Sequence, residues 1–171
     1  MLGAGIEPSN RSLAKAIAQR GMRDHIRLLG ERSDVAVVYA ALDIATLSSA
    51  CGEGFPNVLG EAMACGLPCV ATDIGDASEL LGRTGIVVPP RDPRALAAAW
   101  LALIEIGAEG RRSLGSKARD RIVRDYGLGV AVARYEALYD DIAAQSVASR
   151  EGWASPAALP QSEHRSAVSG R

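Results

Sequence analysis

Two glutamates, Glu53 and Glu61, bracket a turn built from Gly52, Gly54 and Pro56 in the stretch SSACGEGFPNVLGE (48–61). An ionised carboxylate is purely a hydrogen-bond acceptor and prefers hydroxyl donors. Riboses and hexoses carry such hydroxyls in vicinal pairs. Glycines at 52 and 54 let backbone approach a ligand closely, and Pro56-Asn57 suits the opening of a helix. The first-turn amides of that helix, at Asn57, Val58 and Leu59, have no partners within it and carry partial positive charge. That combination suits a phosphate. A diphosphate seated there, with a sugar at one end and a ribose at the other, needs one carboxylate at each end. Eight residues span at most ~12 Å as a helix, comparable with such a ligand. Local physics leaves two readings open: a sugar-nucleotide site, or an ordinary Gly-rich turn with two solvated glutamates.

Other chemistries are weaker. Gly3-Ala4-Gly5 lacks the third glycine and the preceding strand of a dinucleotide fingerprint. Cys65 and Cys69 are not spaced as CxxC, and His25 and His164 are the only histidines. The three cysteines therefore read as reduced structural residues, and no metal or other cofactor is expected. Asp73 and Asp76 read as turn and cap residues.

The elements that must position the Glu53–Glu61 segment alternate. Helices are expected over 9–19 (capped by Ser9 or Asn10), 34–42, 57–65 and 76–81. Strands are expected over 25–29, 43–48, 68–72 and 85–88. Asp92-Pro93 then opens a helix with Leu96, Trp100, Leu103 and Ile104 on one stripe. Two more helices follow over 109–126 and 130–144. Ala118, Ile122 and Val123 are expected inside the first, and Leu138, Tyr139 and Ile142 on one side of the second. After Gln145 the periodicity dissolves into Ser, Ala and Pro, so 146–171 reads as a disordered tail on a domain of residues 1–145. Strands alternating with helices at short spacing make an α/β fold: a Rossmann-like parallel sheet with helices on both faces, followed by C-terminal helices. Such sheets bind ligands beyond the carboxyl ends of their strands, where the Glu53 loop falls.

Composition narrows the partners. Nineteen Lys and Arg oppose twenty Asp and Glu, for a net charge of −1, so no basic field is expected for nucleic acid or an anionic membrane. No apolar run approaches a membrane span and no signal peptide is visible, which makes the cytoplasm the expected location. Phe55, the sole phenylalanine, lies inside the candidate loop.

The stretch GEGFPNVLGEAMACGLPCVATDIGDASELLGRTGIVVPPRDPRALA resembles the donor-binding half of the retaining GT-B glycosyltransferases, group 1 or family 4, whose E-x7-E motif falls on Glu53 and Glu61. The upstream LLGERSDVAVVYAALDIATLSS is similar as well, and the likeness runs from Leu2 to Ile142. The resemblance implies a hexosyltransferase working without metal and retaining the anomeric configuration. It would take a nucleotide-diphosphate sugar as donor and a glycan or lipid-linked acceptor, in polysaccharide or cell-envelope synthesis. Glu53, at the catalytic centre, would hold hydroxyls of the donor sugar as a positioning group and not as a nucleophile. Backbone around Gly54, Phe55, Pro56, Asn57, Val58 and Leu59 would line the sugar and diphosphate, and Glu61 would hold the ribose. Gly30, Glu31 and Arg32 fall where the family contacts the base. The peripheral inner face of the membrane is the alternative location.

The resemblance also implies missing parts. The family's acceptor domain has no counterpart here, nor do the first strands of its donor domain, which carry the Arg and Lys that meet the donor phosphates. Leu2–Gly5 resembles the end of one such strand. The chain is therefore expected to be truncated, and marginal or partner-dependent alone. Its alternatives are a nucleotide-sugar-binding fragment without catalysis or an inactive remnant of a split gene.

Overall fold

The computed structural model describes residues 1–52 and 54–151, with 146–151 described by backbone alone. Three short strands, β1 (Ala45–Leu47), β2 (Cys69–Thr72) and β3 (Gly85–Val88), lie in the order β1-β2-β3. Both pairings are parallel, with Ala45 opposite Cys69 and Cys69 opposite Gly85. Seven helices accompany them among the described residues: α1 (Arg11–Gln19), α2 (Val35–Ala40), α3 (Asn57–Ala64), α4 (Ala77–Leu81), α5 (Pro93–Glu105), α6 (Gly107–Tyr126) and α7 (Leu128–Glu151).

All four residues of β2 are buried because helices cover both faces of the strand. Cys69 and Ala71 point into a cluster with Leu59, Met63, Leu80, Leu81 and Ala118, drawn from α3, α4 and α6. Val70 points the other way and joins Val88 with Ala99 and Leu103 of α5. The two-residue alternation of a strand thus feeds two apolar layers. Leu59, Met63, Leu80 and Leu81 are fully buried, each burial worth roughly 1.5–3 kcal/mol. The expected α/β class and the strand positions 43–48, 68–72 and 85–88 hold.

Side-chain caps start two helices as expected. Asn10 Oδ1 accepts from Leu13 N at 3.1 Å, and Asp92 Oδ1 accepts from Arg94 N and Ala95 N at 3.0 and 2.9 Å. A tighter constraint lies where α6 crosses the turn between α3 and β2. A Cβ on Gly115 would sit 1.9 Å from the Gly66 carbonyl oxygen, and Gly66 itself has φ +76°. Glycine on both sides lets backbone meet backbone.

Four expectations are corrected. Residues 25–29 form no strand. Their backbone lies beside Met1–Gly3, with Met1 N donating to Arg27 O at 2.7 Å, Leu29 N to Met1 O at 2.9 Å and Gly3 N to Gly30 O at 3.0 Å. The amides of His25 and Ile26 instead donate locally, both to Met22 O at 3.1 Å. A strand needs a continuous ladder, and this contact is too short to supply one. Leu2–Gly5 likewise has no strand structure. On α5, Ala99 and Leu103 are the buried residues, whereas Trp100 and Ile104 are exposed. The Trp100 indole reaches sideways to donate to Thr46 Oγ1 at 2.9 Å. On α6, Ala118 is buried and Ile122 packs against the core, but Val123 is exposed.

The chain divides into compact units at Gly127 and Leu128. In the second, α7 carries stacked Tyr135 and Tyr139 rings 6.4 Å apart, and Leu138, Tyr139 and Ile142 are exposed. This helix continues past position 145 to Glu151; the rest of the expected tail, 152–171, lies outside the described residues. Among the described residues no helix is long and apolar enough to cross a membrane.

Candidate functional site

The loop from Ser48 to Pro56 leaves the carboxyl end of β1 and delivers the chain to α3. Two hydrogen bonds pin it. The Thr72 hydroxyl, at the end of β2 and almost fully buried, donates to Ser49 O at 2.7 Å. Asp76 N, at the start of α4, donates to Gly54 O at 3.1 Å. These anchors lie on either side of Glu53, which itself is outside the described residues. Gly52 has φ +87°, a left-handed conformation that favours glycine. Gly54 does not, and a Cβ added there would meet nothing within 4 Å. Among the described residues nothing requires glycine at 54.

Pro56 is buried and stands at the N-cap of α3 without a side-chain cap bond. Its carbonyl accepts from Leu59 N at 2.9 Å and from Gly60 N at 3.4 Å. Of the three amides expected to face a phosphate, Leu59's is therefore engaged, and the Leu59 side chain belongs to the core. The amides of Asn57 and Val58 have no acceptor among the described residues. Pro56 has no N–H to offer. Phe55 is half-exposed at the loop edge, its ring tilted 46° against Tyr126 with centroids 5.7 Å apart.

Glu61, on the exposed side of α3, accepts at Oε2 from the Tyr39 hydroxyl at 3.1 Å. Burial, and then the Glu61 carboxylate, hold the Tyr39 phenol well above its ordinary pKa. Neither Tyr39 nor Thr72 was reached from the sequence. Tyr39 left one signal, a lone hydroxyl in the otherwise apolar helix VAVVYA. Thr72 left none within the buried run CVAT.

The groove lined by the expected base-contacting residues includes no residue of α3. Gly30 is buried with φ +66°, its N–H donating to Ile6 O at 3.0 Å. Glu31 and Arg32 line a groove of about 510 Å³ with Leu2, Ala4, Ser33 and Val35. Arg32 is fork-bonded to Asp34, with Nε donating to Oδ1 at 2.7 Å. Asp76 occupies the N-cap of α4 but makes no side-chain cap bond. Cys51, Cys65 and Cys69 are free thiols, and burial pushes Cys69 up to about 12. Among the described residues no group of three His, Cys, Asp or Glu is placed to hold a metal ion.

Residues 1–105 match the family described as glycosyl transferases group 1. The chain belongs to that family. This group 1 chain is 30 % identical over 144 residues to the N-acetyl-alpha-D-glucosaminyl L-malate synthase of Bacillus anthracis, covering 83 % of this chain and 37 % of that one. It is 33 % identical over 147 residues to the phosphatidyl-myo-inositol mannosyltransferase of Mycobacterium leprae, covering 84 % and 37 %. It superposes on Anabaena HepE, solved in complex with UDP, with a TM-score of 0.72 at 26 % identity, covering 81 % of this chain and 40 % of HepE. The group 1 chain thus spans little more than a third of the length of these relatives.

Proposed function

We propose that this chain forms the donor side of a retaining glycosyltransferase and binds a nucleotide-diphosphate sugar at the head of α3. One observation carries this reading. Two amides without an acceptor among the described residues, at Asn57 and Val58, open the helix beside a glycine that those residues do not require, and an exposed carboxylate stands one turn further on. The amides and the helix dipole suit the diphosphate, and they oppose the charge that grows on it as the sugar departs. That task is the one metal ions perform in other transferases, so no metal is required here. Glu61 accepts from the ribose hydroxyls. Glu53, with the backbone of Gly54 and Phe55, holds the sugar. The base lies toward the groove at Glu31 and Arg32. HepE, solved with UDP and also with UDP-glucose, supports the ligand class.

The glycan or lipid-linked acceptor would be met by the part of the relatives' length that this chain does not cover. The chain alone is accordingly a nucleotide-sugar binder, and transfer needs that remainder. Synthesis of polysaccharide or cell-envelope glycan at the cytoplasmic side is the setting that fits. Calorimetry with UDP, GDP and their glucose and mannose derivatives tests the reading. Binding of one nucleotide series, weakened by Glu61→Ala and indifferent to EDTA, is expected. Equal binding by wild type and Glu61→Ala, or none by either, would contradict it.

A further inference from the structure

The proposed nucleotide site leaves one polar contact without a role. Tyr39 is 5 % exposed and packs in the main core cluster, where a phenylalanine ring would fill the same space. Its hydroxyl nonetheless lies 3.1 Å from Glu61 Oε2 and 3.3 Å from Val58 O. A phenol has one proton to give, and the shorter, charge-assisted contact to the carboxylate is the stronger. Burial and the carboxylate itself keep that proton on the phenol through the neutral range. Glu61 is otherwise exposed. A free glutamate on a helix surface samples several rotamers, and ordering it upon ligand binding weakens affinity. One tethered at Oε2 has lost that freedom already and keeps Oε1 for a ligand.

We infer that Tyr39 is a positioning residue: its hydroxyl holds Glu61 Oε2 so that the carboxylate is oriented toward the vicinal ribose hydroxyls before the nucleotide arrives. The inference rests on the nucleotide site proposed above. Tyr39 touches no ligand. It acts through Glu61, and through Val58 it also abuts the first turn that meets the diphosphate. A rigid acceptor set on α3 by a neighbour on α2 is the preorganisation expected of a site that must read a sugar edge.

Tyr39→Phe removes the hydroxyl and keeps the ring. Calorimetry on the full 171-residue chain compares wild type, Tyr39→Phe, Glu61→Gln and the double variant. The probes are UDP and GDP, each with an analogue lacking both ribose hydroxyls. Losing one hydrogen bond's worth of orientation predicts roughly three- to tenfold weaker binding of the ribonucleotide by Tyr39→Phe. The hydroxyl-free analogue should bind unchanged, and the double variant should be no weaker than Glu61→Gln. A thermal midpoint for Tyr39→Phe close to wild type would separate this from loss of fold. Equal weakening of both analogues would make Tyr39 merely structural and overturn the inference. So would unchanged ribonucleotide binding in Tyr39→Phe while Glu61→Gln loses affinity, which leaves the nucleotide site standing. If wild type does not prefer the ribonucleotide, the assignment of Glu61 to ribose fails first, and the role of Tyr39 fails with it.

Discussion

The two ends of the proposed nucleotide site are built in opposite ways. The phosphate end is the first turn of α3, whose Leu59 and Met63 are fully buried and whose entry loop is tied to β2 and α4. The base end, Gly30 to Arg32, lies in a segment without helix or strand, held by scattered backbone bonds to Met1, Gly3 and Ile6. Its one charged contact among the described residues, Arg32 with Asp34, spans two residues and is solvent-exposed. A helix dipole acts over about one turn and is worth roughly 0.3–1 kcal/mol when exposed, so its amides must be placed accurately to matter. A base needs only a surface to lie on. The proposed phosphate end is thus the more extensively packed and bonded of the two.

Substitutions can break that contrast, and the largest effect is expected where α6 meets the turn at the far end of α3. Gly115→Ala forces a methyl group against the Gly66 carbonyl, where the separation would be 1.9 Å. Overpacking of this kind should cost about 3 kcal/mol or more in urea unfolding and displace α3 from its turn. Thr72→Val comes next. It removes the donor to Ser49 O from a buried site, at roughly 1–2 kcal/mol. It should also weaken UDP binding by loosening the loop.

A smaller effect is visible through pH. Burial raises Cys69 from 9.0 to about 12. Above pH 9 the unfolded chain ionises this thiol while the folded chain keeps it neutral. The stability is therefore complete below pH 9 and declines as pH rises toward 12, by about 1 kcal/mol near pH 10. The difference in urea midpoint between wild type and Cys69→Ala, followed from pH 7 to 10, measures it. The smallest effect belongs to the base end, where Arg32→Ala should leave the thermal midpoint unchanged because its ion pair is exposed. A measurable drop there would erase the proposed contrast.

The same contrast governs how much of the molecule could be read from residue order. CVAT between Pro68 and Asp73, and GIVV before Pro89, are short apolar runs with stop signals, and both became strands at the expected places. His25–Leu29 has equal strand character, yet a strand depends on its neighbours, and among the described residues its backbone bonds beyond the local turn go to Met1 alone. Of the apolar stripe expected on α5, Leu103 is buried and Leu96 packs against the core, whereas Trp100 and Ile104 are exposed and Ala99 is buried instead. At the candidate site, the loop glycines, the α3 opening and Glu61 were legible because each is a local signal. The tethers were not. Tyr39 reaches Glu61 across 22 positions and Thr72 reaches Ser49 across 23, separations that no local pattern encodes.

The central claim is that the first turn of α3 receives a diphosphate. Amide-resolved NMR titration of the chain with UDP and GDP tests it most directly. The account predicts that the Asn57 and Val58 amides move most at saturation, with Leu59, already bonded to Pro56, moving less. No shift at Asn57 and Val58 with either nucleotide, or larger shifts confined to a different surface of the chain, would contradict it.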